Sequence, residues 1–344
     1  MGRFIVARLF VSVLLFLALT LFVFVIFFVM PQPAVKQLGR GQVASEYDLR
    51  DSIALHGPLY KQYGEFVWGL VRHGSVGKSF FNRREVRTLI FQAAPVTLSV
   101  IVGGVIVWLL LAIPIGILSA LRPRSLGDRL GMAFLLIGVS AHPVWLGLVL
   151  GRWLGYQWHI FPWTGYCEVF NPTTICGGPT QWLYHLLLPW FVFAMLYAAI
   201  YARMIRASVL ETLNEDYVRT ARAKGASEWR VIRTHVLRMA FLPVVTMIGM
   251  DMGTALANVI FIESVFNLPG MGGMLRSAIP GRDLPVVLGV VTYSTIFILV
   301  LNLAVDLVYA FIDPRIRGAQ TARRRGTFRG VPEVSPAAAP APSR

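Results

Sequence analysis

The sequence predicts an all-α integral membrane protein with six transmembrane helices and both termini cytoplasmic. Three observations predict it. Apolar residues make up 56% of the 344-residue chain and charged residues 14%, against about one quarter charged in a typical soluble domain. Uncharged runs long enough to cross a bilayer recur along the sequence, each near or above the ~20 residues a helix needs. The positive charge lies in alternate connections between these runs, which the positive-inside rule makes cytoplasmic.

The first run, Leu9 to Met30, follows Arg3 and Arg8. It exceeds the ~7–15 residues of a signal-peptide core and no small-residue cleavage site follows, so it reads as a retained helix. The second, Thr88 to Leu121, contains Pro95 and Pro114, which the sequence reads as ends or a kink. The third and fourth are Leu130 to Gly151 and Val169 to Ala202. The fifth, Met239 to Ile262, carries one charge, Asp251, and the sixth is Leu284 to Val305. Arginines crowd the connections two–three and four–five and the stretch after span six. That pattern accounts for the net charge of +15 and argues against a nucleic-acid partner.

The chain divides into a first helix (1–30), an outer segment (31–92), a five-helix core (93–317) and a tail (318–344). Pro58 to Val71 has apolar residues at helical spacing and predicts an amphipathic helix packed on the outer ends of the spans. The tail is rich in Ala, Pro and Arg without periodicity; it reads as disordered, with arginines drawn to lipid headgroups. Cys167 and Cys176 share one outer connection. A disulfide closing a small loop, two free thiols, and a metal pair with His159 are all open readings.

Catalytic motifs are wanting. "GSVGKSF" at Gly74 to Phe80 imitates a phosphate-binding loop, but Arg72 stands where the motif needs Gly. The six histidines show no metalloenzyme spacing, and no G-x-S-x-G occurs.

The informative stretch is "NEDYVRTARAKGASEWRVIRTHVLR", Asn214 to Arg238. Leu210, Leu213, Tyr217 and Ala221 share one helical face, Gly225 interrupts, and Trp229, Ile232 and Val236 resume the pattern. Two short helices bent at Gly225 are predicted, the first capped by Asn214 and the second by Ser227. Small residues beside the bend suit close approach by another surface.

This stretch resembles the EAA loop of binding-protein-dependent ABC importers, in the form found in dipeptide, oligopeptide and nickel permeases: "DYVRTARAKGAS" at Asp216 to Ser227. "GSVGKS", "ESVFNLPGMG" (Glu263 to Gly272), "GRDLPVVLG" (Gly281 to Gly289) and "DPRIR" (Asp313 to Arg317) resemble further motifs of that family in the same order. Two departures stand out: Arg219 replaces the Glu that names the loop, and Leu237-Arg238 replaces its closing Leu-Pro.

The resemblance implies a type I ABC importer permease architecture in a bacterial inner membrane. It implies a non-catalytic subunit for peptides or related small solutes, the B-type of a pair. The chain itself would bind no cofactor; ATP and Mg would sit on two cytoplasmic ATPases. A second homologous permease, an extracytoplasmic substrate-binding protein and membrane lipids complete the implied partners.

Within the loop at 206–238, the ATPase-docking residues would be Asp216, Tyr217, Ala221, Lys224, Gly225, Ser227 and Trp229. Glu263, Phe266, Pro269 and Gly270 would form an outer gate or a contact with the binding protein. Asp251, with Thr254 and Asn258 along the same span, reads either as pathway lining that meets a substrate amine or as a structural pairing. An ion-coupled secondary transporter is the rival reading; it would show paired ionisable groups in its spans or an internal repeat, and neither is visible here.

Overall fold

A computed structural model describes residues 2–29, 58–169, 176–281 and 283–312. Among these the chain is helical, with two isolated β-bridges and no strand. The tail and residues 31–57 of the outer segment lie outside the described residues.

The elements follow in order: α1 Gly2–Phe24, continued by a π-helical turn Val25–Val29; α2 Leu59–His73; α3 Val86–Leu121; α4 Leu126–Ser140; α5 Pro143–Leu150, continued by a π-helical Gly151–Gln157; and α6 Pro179–Leu213. Then come α7 Asp216–Ala223, α8 Glu228–Arg230, a π-helical Val231–Val236, α9 Leu237–Ala240, α10 Leu242–Val265, α11 Met271–Gly281 and α12 Leu284–Ile312.

Among the described residues, four stretches are long and apolar enough to cross a membrane: Val86–Leu121, Pro179–Leu213, Glu228–Val265 and Leu284–Leu303. The predicted third span is not one straight helix. It is α4 and α5 bent by 108°; counted as one broken span, the pair makes five. The break has a local cause. Ala141 and His142 are extended, as the residue before a proline prefers, and Pro143 opens the next helix where its missing N–H costs nothing. The His142 ring nitrogen accepts the Val144 N–H at 3.3 Å and caps α5. The apolar part of α1, Leu9–Phe24, is shorter than the other spans.

Pro95 and Pro114 do not divide α3, which runs unbroken for 36 residues, about 54 Å. An interior proline costs a free helix ~3 kcal/mol; here α3 lies along α6 in the most extensive helix pair among the described residues, and that packing offsets the cost. The pair is close because two glycines let it be. A Cβ on Gly103 would stand 1.9 Å from the Trp190 ring, and one on Gly104 2.2 Å from Phe193. Fully buried Trp108 stacks on Tyr197 and Tyr201, with ring centroids 4.5 and 5.4 Å away.

A second apolar cluster joins α1, α2, the start of α3, α11 and α12. The amphipathic helix predicted at Pro58 to Val71 is α2. It buries Phe66 and Leu70 and leaves Leu59 exposed, and Tyr63 donates to the Leu17 carbonyl at 2.9 Å, fixing it to α1.

Candidate functional site

Three groups of residues sit along the long helices: an elbow between α6 and α10, a polar ladder inside, and a walled cavity near the segment that joins α10 to α12.

The elbow bends where the sequence predicts. Gly225 has φ +79°, and the turn closes as a Schellman motif: Gly225 N–H donates to Arg222 O at 2.9 Å and Ala226 N–H to Ala221 O at 3.2 Å. Arg222 and Glu228 then pair across the bend at 2.8 Å. Asn214 does not cap α7 as expected. It ends α6, its side-chain amide donating to Leu210 O at 2.9 Å, and Glu215 precedes α7 instead. Ser227 does precede α8 but makes no capping hydrogen bond.

The face turned inward centres on valines. Val218, not Tyr217, is fully buried, joined by Val231 and Val236. Ala221 is half-buried, while Asp216, Lys224, Gly225 and Ser227 are exposed. Tyr217 is 42% exposed and Trp229 70%. Partial burial, then the nearby Glu215 charge, push the Tyr217 phenol up. The elbow thus hangs from three valines and shows two aromatic rings to the outside.

One contact that the sequence did not signal ties this end together. Arg206, on α6, pairs with largely buried Asp128 of α4 at 3.0 Å. The same carboxylate oxygen accepts the Arg124 N–H at 2.9 Å, and Ser125 caps α4 by accepting the Asp128 N–H. Spacing could not find the pair, because its members lie 78 positions apart.

The ladder joins α6 to α10. Tyr201 donates to Asp251 at 2.8 Å, Thr254 donates to the Asp251 carbonyl at 2.9 Å, and Asn258 donates to the Tyr197 hydroxyl at 3.0 Å. The three residues named for the pathway are therefore brought together, on partners from α6 that sequence reasoning did not name.

They do not line the large cavity. That space, about 1670 Å³, follows α3 from Leu89 to Val107 and is walled by Trp182, Trp190, Pro269 and Arg276. Trp190 donates to Ser99 O at 2.9 Å and Trp182 to the Tyr166 hydroxyl at 3.2 Å, so both indoles present apolar faces.

Of the four residues named for the gate, only Pro269 is exposed and lines the cavity. Phe266 and Gly270 are buried, and Glu263 is wholly so. One Glu263 oxygen accepts the N–H groups of Gly272 at 2.6 Å and Gly273 at 3.3 Å, at the start of α11. Glu263 thus braces the turn between α10 and α11 from within and has no exposed surface of its own.

Two sequence motifs meet beside the same cavity. Ser79, from "GSVGKS", donates to Asp283, from "GRDLPVVLG", at 2.5 Å, and Phe80 N–H reaches the other oxygen at 3.1 Å. Both side chains are buried. Ser79→Ala would leave one Asp283 oxygen without this partner at a cost of ~1–3 kcal/mol. The expected result is a lower melting temperature of the purified chain; an unchanged one would contradict the contact.

Cys167 and Cys176 are joined as a disulfide, with Cα atoms 5.3 Å apart. The nearby imidazole is His185, not His159: its Nδ1 lies 3.3 Å from Cys167 Sγ.

Comparison with known proteins gives one family. The profile for the binding-protein-dependent transport system inner membrane component matches residues 112–318, and the profile for the N-terminal part of such components matches residues 1–101. The dipeptide transport system permease protein DppB of Escherichia coli K12 is 35% identical over 92% of this chain and 99% of its own length. The oligopeptide transport system permease protein AppB of Bacillus subtilis is 34% identical over 92% and 99%. A solved structure of the MetNI methionine ABC transporter, inward facing, matches with a TM-score of 0.50 over 65% of this chain and 96% of that one; at 17% identity it speaks for the fold alone. Both profiles together span most of the sequence, and the chain belongs to the family of binding-protein-dependent transport system inner membrane components.

Proposed function

We propose that this chain is the permease subunit of an ATP-driven importer that passes di- or oligopeptides. It crosses the membrane six times with both ends inside, counting α1 and the broken α4–α5 pair as spans. It pairs with a second, similar permease, receives solute from an extracytoplasmic binding protein, and docks two ATPases through the elbow at 216–229. ATP and Mg belong to those ATPases.

The observation that carries the reading is the elbow itself: Tyr217 and Trp229 stand exposed on a bend anchored by buried Val218 and flanked directly by long apolar helices. Aromatic rings held outward on a rigid support are what a protein partner's groove takes up. The peptide assignment draws on the names of the relatives, 35% and 34% identical. Closure of the ATPases would move α7 and tilt the spans as rigid bodies.

The decisive experiment is reconstitution. ATPases should co-purify with the chain, and ATP hydrolysis by the complex should rise when peptide-loaded binding protein is added. Peptide uptake driven by an ion gradient, with no ATPase bound, would instead establish the secondary transporter.

Asp251 offers a finer test. Asp251→Asn keeps an acceptor for the Tyr201 hydroxyl but removes the charge. The expected result is altered preference among peptides with normal assembly; lost assembly would make Asp251 a structural partner of Tyr201 and nothing more.

A further inference from the structure

We propose that Cys167, Cys176 and His185 form a redox-gated site for one soft divalent cation such as zinc, closed while the disulfide stands and open once it is reduced. The donors are already gathered: one ligand atom from each lies within 4.8 Å of the others. They come from two places that the fold brings together, the ends of the loop before α6 and the second turn of α6 itself.

A backbone carbonyl holds the imidazole. His185 Nδ1 lies 2.9 Å from the Gln181 carbonyl, which can only accept, so Nδ1 carries the proton and Nε2 keeps its lone pair. A backbone carbonyl in this role is the usual way a metal-binding histidine is held. Nε2 stands 3.7 Å from Cys167 Sγ. Tetrahedral zinc, with bonds of about 2.3 Å to sulfur and 2.0–2.1 Å to nitrogen, requires a sulfur–nitrogen edge of about 3.6 Å. The Cys167 sulfur, however, lies nearer the protonated Nδ1, at 3.3 Å, on the side away from the Nε2 lone pair, so both sulfurs must move to reach the tetrahedron once the S–S bond is broken.

The chemistry balances. A phosphine reductant cleaves the S–S bond with water, giving two thiols and one phosphine oxide. Zinc then displaces two thiol protons and takes the neutral imidazole nitrogen, leaving the fourth position to water. The complex of Zn²⁺ with two thiolates carries no net charge, which suits Cys167, wholly buried in this structure. While the disulfide is intact neither sulfur is a thiolate, and the site has a single nitrogen donor.

The test uses the full chain in detergent. One sample is left oxidised; another is reduced with a phosphine and desalted. Both are then given Zn²⁺, desalted again and assayed for metal, with Co²⁺ as a spectroscopic substitute. The expected result is about one zinc per reduced chain, none per oxidised chain, and a sulfur-to-cobalt charge-transfer band in the reduced sample alone. His185→Ala should weaken zinc binding about tenfold or more while its disulfide still re-forms on oxidation, which shows that the loop is intact. Equal zinc in the oxidised and reduced samples, or unchanged affinity in His185→Ala, would overturn the proposal.

Discussion

Gly225→Trp is expected to abolish ATP-driven uptake while the chain still inserts and still receives its binding protein. Gly225 sits at φ +79°, a region that costs an L residue about 1–2 kcal/mol, and its backbone closes the Schellman turn that ends α7. Nothing lies within 4 Å of a Cβ built there. The damage therefore comes from two separable sources, strain at the bend and bulk on a surface proposed to meet the ATPase. Gly225→Ala carries the first alone. It should reduce uptake partly, since Arg222 and Glu228 still pair across the turn, whereas Gly225→Trp should remove uptake and the co-purifying ATPase together. Asp216→Lys should act in the same direction, by placing a cation at the start of α7 where the helix dipole favours an anion. Normal uptake by Gly225→Trp would remove the elbow from the mechanism.

Gly103→Val is expected to destabilise the folded protein severely. Glycine inside a helix is ordinarily a weak point, about 0.8–1.0 kcal/mol worse than alanine, so propensity alone predicts a gain from any substitution. The tertiary contact reverses the sign. A Cβ on Gly103 falls 1.9 Å from the Trp190 indole, and that ring cannot swing away without losing its hydrogen bond to Ser99 O. Overpacking of this kind costs ~1–3 kcal/mol or more, and it falls on the α3–α6 interface that supports α3 as one helix through two prolines. Gly64, on the exposed face of α2, is the control. Nothing lies within 4 Å of its Cβ, so Gly64→Ala should be neutral or stabilising by up to ~1 kcal/mol. Melting curves in detergent read both; a stable Gly103→Val would disprove the packing.

Much of the fold was legible because lipid simplifies the problem. Runs without charge mark the long apolar helices, while the orientation suggested by arginines in alternate connections rests on the sequence alone. Capping was less legible: Asn214 can close one helix or open the next, and only the path of the chain after Leu213 decides for the first. The division drawn at residues 92 and 93 falls within unbroken α3, since composition shifts at a membrane boundary while a helix need not end there. The break at Pro143 was hidden because no acidic or basic run marks it, and hydropathy averages over a bend.

The sequence by itself determined the class of protein, the apolar runs, the elbow at Gly225 and the family, because each rests on local pattern: hydropathy over a window, a residue that tolerates positive φ, or a short motif. The tertiary structure alone decided which faces are buried and which distant groups meet. Val218 rather than Tyr217 anchors the elbow, Tyr201 finds Asp251, Arg206 finds Asp128, Ser79 finds Asp283, and His185 rather than His159 stands beside the cysteines. Each of these long-range pairs is set by how helices cross in space, and a helical repeat along one chain carries no record of the angle at which another helix arrives.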